Sequence, residues 1–137
     1  MMVMMVDDLR FLVELANSYT DVLLVVGNND IGTLDDHTIV HNFRQFVTNL
    51  MPGIDVSILG FLPRKDHGNE VNPFTGQDEN PVTRLNVRLD QEFPALYVSP
   101  RDYFRKQDFN DSDPAHLTEN GYKHMAKLVY HVCLNMQ

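Results

Sequence analysis

Apolar residues recur along this chain in two rhythms. Leu9, Leu12, Val13 and Ala16 fall at the i, i+3, i+4, i+7 spacing of an amphipathic helix, and Val22-Leu23-Leu24-Val25-Val26 is an unbroken branched run that stops at Gly27. The pair predicts a helix followed by a strand buried on both faces. Ile39, Val40, Phe43, Phe46, Val47 and Leu50 return to helical spacing, stop at Met51-Pro52-Gly53, and give way to the strand-like Ile54-Asp55-Val56-Ser57-Ile58-Leu59. Pro81 suits a helix start with Val82, Leu85, Leu89 and Phe93 on one face, before Pro94 and the short strand-like Ala95-Leu96-Tyr97-Val98. Thr118 is a predicted N-cap for a last helix carrying Tyr122, Met125, Ala126, Val129 and Cys133 along one face. Helices alternating with fully apolar strands imply crossovers onto a parallel sheet with helices on both faces, an α/β protein of three α/β/α layers. Ligand crevices in such sheets lie beyond the carboxyl ends of the strands. The segments that follow Val26 and Val98 both leave from such ends.

With 137 residues, 43% of them hydrophobic, the chain (1–137) fits one domain that buries about two thirds of its unfolded surface. Residues 64–80 are polar and aperiodic, which predicts a long surface loop within that domain rather than a linker. Eleven Lys plus Arg against 19 Asp plus Glu leave a formal charge of −8, which repels phosphate backbones and anionic headgroups. Nucleic acid and acidic membranes are therefore not expected partners. The acidic residues are scattered, so the charge reads as solubility and says little about a substrate. Cys133, the single cysteine, falls at an apolar position of the last helix and is expected to be a small core residue. The start Met1-Met2-Val3-Met4-Met5-Val6 meets Asp7 and Asp8 at once and has neither the basic flank of a signal peptide nor the length of a membrane span. A cytoplasmic location is the default expectation.

Two motifs carry chemistry. Gly27-Asn28-Asn29-Asp30, directly after the first apolar run, offers an amide that can stabilise a developing oxyanion; Asp113-Pro114-Ala115-His116, directly before the last helix, offers a histidine base with an orienting carboxylate. Singly, each is also ordinary turn chemistry, with Asp113 a turn former ahead of a helix. Their joint order is more specific. Together with Leu59-Gly60-Phe61-Leu62-Pro63 after the middle strand and His116-Leu117-Thr118 followed by Gly121-Tyr122, it resembles the SGNH, or GDSL-type, hydrolase superfamily over roughly residues 20–135. Within that superfamily the chain is most similar to the platelet-activating-factor acetylhydrolase-like subgroup. The resemblance implies a flavodoxin-like sheet and a serine ester hydrolase working through an acyl-enzyme on a small acyl ester, with no cofactor and no metal. It makes His116 the general base, Asp113 its orienting partner and Asn29 an oxyanion-hole donor. Gly27 would permit the tight exit from the strand, and Asp30 would order the loop.

The superfamily's Gly-Asp-Ser nucleophile and a second oxyanion-hole glycine precede the Gly-x-Asn-Asp strand, and nothing in residues 1–26 matches either. Ser18 ends the first helix, Ser57 lies within a strand, and Ser99 and Ser112 lie in loops without a nucleophile-elbow context. The expectation is a truncated domain, inactive alone, that lacks the first strands. The strand at Val22 to Val26 should then present a flat apolar edge open to self-association or to a partner chain. A non-catalytic remnant acting in binding is the alternative, and a flavodoxin-like binding or signalling domain sharing only the architecture is a third. The remaining polar groups are expected to be unspecialised. His37 and His41, one helical turn apart, read as a solvated face, His67, His124 and His131 as surface residues, and Asp108, Asp111 and Asp113 as a solvated turn without the glycine and terminal glutamate of a calcium loop.

Overall fold

The computed structural model describes residues 2–4, 12–25, 34–62, 81–100, 103–104, 108 and 117–136. The elements are β1 (Met2–Met4), α1 (Val13–Ala16), β2 (Asp21–Leu24), α2 (Asp36–Asn49), β3 (Asp55–Leu59), α3 (Pro81–Glu92), β4 (Tyr97–Val98) and α4 (Glu119–Asn135). The strands form one 4-stranded sheet in the order β1-β2-β3-β4, and every pairing is parallel. The register sets Val22 opposite Val56 and Leu24 opposite Ile58, and then Leu59 opposite Val98.

Period-two alternation divides the branched runs between two cores. Val22 and Leu24 of β2, with Val56 and Ile58 of β3, face Ala16 of α1, Ile39, Phe43 and Phe46 of α2, and Val82, Leu85 and Leu89 of α3. Leu23 and Leu59 point the other way, onto Leu128 and Val132 of α4 with Phe104 and Met136. Sequential parallel strands joined by crossovers of one hand place the connecting helices on one face, which is where α1, α2 and α3 lie. The chain leaves β4 for the opposite face. Because β3 exits toward α3 and β4 toward α4, the connections diverge beyond the carboxyl ends of these neighbouring strands, the geometry that opens a crevice in α/β sheets.

The expected α/β character and parallel sheet are present. The open edge expected at β2 is not. Met2, Val3 and Met4 pair in parallel with Val22, Leu23 and Leu24, so β2 is an interior strand and, among the described residues, the sheet ends at β1 and β4. The physical reason is that an interior apolar strand left with an unpaired row of N–H and C=O groups accepts any extended apolar segment within reach, and the methionine-rich start supplies one. The last helix is rotated from its expected face: Gly121, Leu128 and Val132 are its buried residues, whereas Tyr122 is 51% exposed. Cys133 is only half-buried rather than a core residue.

Local chemistry fixes the helix starts. Asp35 caps α2 by accepting from the Thr38 N–H at 2.7 Å, and these bonds hold its carboxyl below the usual carboxylate range. Thr118 caps α4, its hydroxyl accepting from the Gly121 N–H at 3.1 Å. Among the described residues no helix is long and apolar enough to cross a membrane.

Candidate functional site

The described residues define the frame of the sheet's carboxyl edge. β2 ends at Leu24, β3 at Leu59 and β4 at Val98, and parallel pairing brings all three exits to one rim. Gly60 marks a close approach there. A Cβ at this position would lie 2.6 Å from the Tyr97 hydroxyl and 2.9 Å from Pro100 Cδ, so only glycine lets the two exits meet. Asn86 on α3 fastens the next residue from both sides: its Oδ1 accepts from the Phe61 N–H at 2.7 Å and its Nδ2 donates to the Phe61 carbonyl at 3.0 Å. An amide on the inner side of an apolar helix satisfies a strand exit that has left the ladder. Burial, opposed by a hydrogen bond with Ser99, pushes the Tyr97 phenol up to about 12, so it stays a neutral hydroxyl through the physiological range.

A second polar cluster lies where the chain enters α4. Asp108 is 1% exposed, contrary to the solvated turn expected of it. Its Oδ2 lies 2.7 Å from His124 Nδ1, and its carbonyl accepts from the Thr118 N–H at 2.9 Å and the Thr118 hydroxyl at 3.1 Å. A Cβ on Gly121 would overlap that same carbonyl oxygen and approach Leu117 Cβ to 2.8 Å, so the absence of a side chain at 121 lets Asp108 lie against the first turn of α4. The expectation of an unspecialised surface His124 is corrected accordingly. Its side chain is 39% exposed and carries a buried carboxylate on one ring nitrogen. His131 is also engaged, with Nδ1 3.2 Å from the Tyr103 hydroxyl. His37 and His41 stack with ring centroids 6.5 Å apart.

Gly27, Asn29, Asp30, Asp113 and His116 lie outside the described residues. Their neighbours in sequence do not. Gly27-Asn28-Asn29-Asp30 runs between Val25, at the exit of β2, and Leu34, ahead of the α2 cap; Asp113 and His116 run between Asp108 and Leu117. Leu34 and Leu117 each form an isolated β-bridge. Of the serines considered, Ser57 is inside β3, Ser18 follows α1, and Ser99 is exposed at the exit of β4. The engagement of Asn86 and Tyr97 beside the strand exits, and of Asp108 and His124 at the start of α4, is what sequence reasoning missed. For Asn86 the available signal was a polar residue inside the Val82, Leu85, Leu89, Phe93 face.

The chain matches no protein-family model, no curated protein and no solved structure.

Proposed function

We propose that this chain carries the base and oxyanion portion of an SGNH-type ester hydrolase, built on a flavodoxin-like α/β/α sheet and acting on a small acyl ester. The observation that supports the reading most is the common direction of β2 and β4, strands followed in sequence by Gly27–Asp30 and by the stretch that ends at Thr118. Only β3 separates the two strands, a span of roughly 10 Å at two strand spacings.

In this reading His116 takes the proton of the attacking hydroxyl at one ring nitrogen, and Asp113 accepts from the other and fixes the tautomer. The Asn29 amide donates to the oxygen on which charge develops, a neutral donor whose loss costs on the order of a hundredfold or more in rate. Gly27 and Asp30 shape the loop that presents it. No step calls for a cofactor. Residues 1–137 contain no Gly-Asp-Ser, so an acyl-enzyme needs a serine from outside them, and the chain alone should not react with a serine-directed organophosphonate.

Inactive alone as a serine esterase, residues 1–137 would in this reading still hold a base able to activate water toward a reactive ester, far more weakly than a site with a complete oxyanion hole. The test is hydrolysis of p-nitrophenyl butyrate by the wild-type chain, His116→Ala and Asn29→Ala. Wild type should exceed both variants, with His116→Ala falling to the level expected of scattered surface imidazoles. Equal rates for wild type and His116→Ala would refute the reading and leave a non-catalytic binding remnant in its place.

A further inference from the structure

We infer that the outward face of α4 is a homodimer interface, on which a second copy of this chain lays its own α4 antiparallel to the first. Tyr122, Ala126, Tyr130 and Leu134 recur every four residues and so form one ridge along the helix. The sheet is met by Gly121, Leu128 and Val132 instead, which leaves the ridge outside: Tyr122 is 51%, Tyr130 61% and Leu134 50% exposed. A helix apolar on two sides gains from having both covered, and among the described residues no other helix packs on this face of the sheet.

Shape and charge both fit a second copy. A two-fold axis at the level of Leu128 sets Ala126 opposite Tyr130 of the second copy and Tyr122 opposite its Leu134, and each pair recurs in reverse, so the smallest residue of the ridge receives one of the largest. The charges favour the same direction. Lys123 and Lys127 lie beside the ridge in the first half of the helix, whereas the last turn has no basic residue to offset its outward carbonyls. Antiparallel pairing brings Lys123 of each copy to the last turn of the other, level with Cys133. Its exposed pair with Glu119, at 3.6 Å, is weak enough to give way. Parallel pairing would instead set Lys123 on Lys123, Lys127 on Lys127 and Tyr130 on Tyr130, and like charges face to face oppose it. A 17-residue helix is only about 25 Å long, so the interface is small and the association correspondingly weak.

Sedimentation velocity of the full chain, from about 1 µM to about 1 mM, is the test, and the wild type should pass from monomer to dimer across that range. Tyr130→Lys, which puts a cation where Ala126 of the second copy docks, and Ala126→Tyr should each raise the dissociation constant roughly tenfold or more, with a wild-type far-ultraviolet circular dichroism spectrum because both positions are exposed. Ala126→Tyr is the sharper of the two, since it enlarges the apolar surface while filling the recess that receives Tyr130. Lys123→Glu should weaken the dimer, and adding Asn135→Lys should restore it, a rescue open only to the antiparallel arrangement. Should Tyr130→Lys or Ala126→Tyr lose its spectrum, this exposed pair carries the test. A wild type monomeric at every concentration overturns the proposal. So does a dimer that Tyr130→Lys leaves intact or that Ala126→Tyr tightens, the behaviour of a merely adhesive patch, and so does a failure of Asn135→Lys to restore what Lys123→Glu has lost.

Discussion

Gly121→Ala should destabilise the protein although it replaces glycine by the best helix former within a helix. On propensity alone the change is worth up to about 1 kcal/mol of stabilisation. The structure reverses the sign. The new methyl group would overlap the Asp108 carbonyl oxygen and sit 2.8 Å from Leu117 Cβ. If the carbonyl stays in place, the overlap is absorbed as strain of roughly 1–3 kcal/mol. If it moves, it weakens the two bonds it accepts from Thr118, at about 1 kcal/mol each. Either route outweighs the propensity gain and leaves a net loss of about 1–2 kcal/mol, which for a domain of this size lowers Tm by roughly 3–8 °C. Urea denaturation read by circular dichroism, with calorimetry alongside, measures both quantities, and an unchanged m-value would show that the compactness of the unfolded state has not altered. A Gly121→Ala variant as stable as wild type, or more stable, would refute the packing of Asp108 against α4.

Asn86→Ala should cost about 1–3 kcal/mol, because it leaves both the N–H and the carbonyl of Phe61 without their partner; a change in urea midpoint corresponding to less than about 0.5 kcal/mol would contradict the clamp. Arg84→Ala, which breaks a half-exposed ion pair with Asp36, should change stability by no more than about 1 kcal/mol, and the small effect should shrink further in added salt. Tyr97 makes a prediction about alkaline pH. Its phenol ionises at 10.0 when solvated and at about 12 in the fold, so the stability tied to the protonated form is complete below pH 10 and is lost as pH rises toward 12. Tyr97→Phe should flatten the fall in Tm across that window, and phenolate absorbance should show one tyrosine titrating late in wild type; identical profiles for the two proteins would contradict the burial.

How much of this was legible beforehand follows from the range of the forces involved. α2 and α3 declare themselves because Ile39, Phe43 and Phe46, and Val82, Leu85 and Leu89, repeat at helical period and meet one sheet face. β2 and β3 are equally plain as apolar runs. β1 is not, since Met2–Met4 has no informative period and becomes a strand only through its non-local pairing with β2. The face of α4 was misjudged because that helix is apolar on several sides, and the choice among them is made by Leu23 and Leu59 of the sheet. Asp108 sits in a polar stretch that reads as solvated, and its burial arises from distant Thr118, Gly121 and His124. At the site the asymmetry runs the other way. Asn29, Asp113 and His116 stand out in the sequence by motif order, whereas Asn86 and Tyr97 beside the strand exits, and His124 at the start of α4, have no motif and acquire meaning only from packing.

The proposal that Asn29 and His116 act together on one substrate is tested most directly by a nitroxide at Asn29→Cys in a Cys133→Ser background. His131, twelve residues beyond Glu119 in α4 and so about 18 Å farther along the helix axis, is the internal reference. The account predicts that the His116 imidazole signals are broadened beyond detection while those of His131 remain sharp, and that reducing the nitroxide restores His116. Sharp His116 signals alongside an active nitroxide would contradict it, and the base and the oxyanion donor would then belong to different places on the molecule.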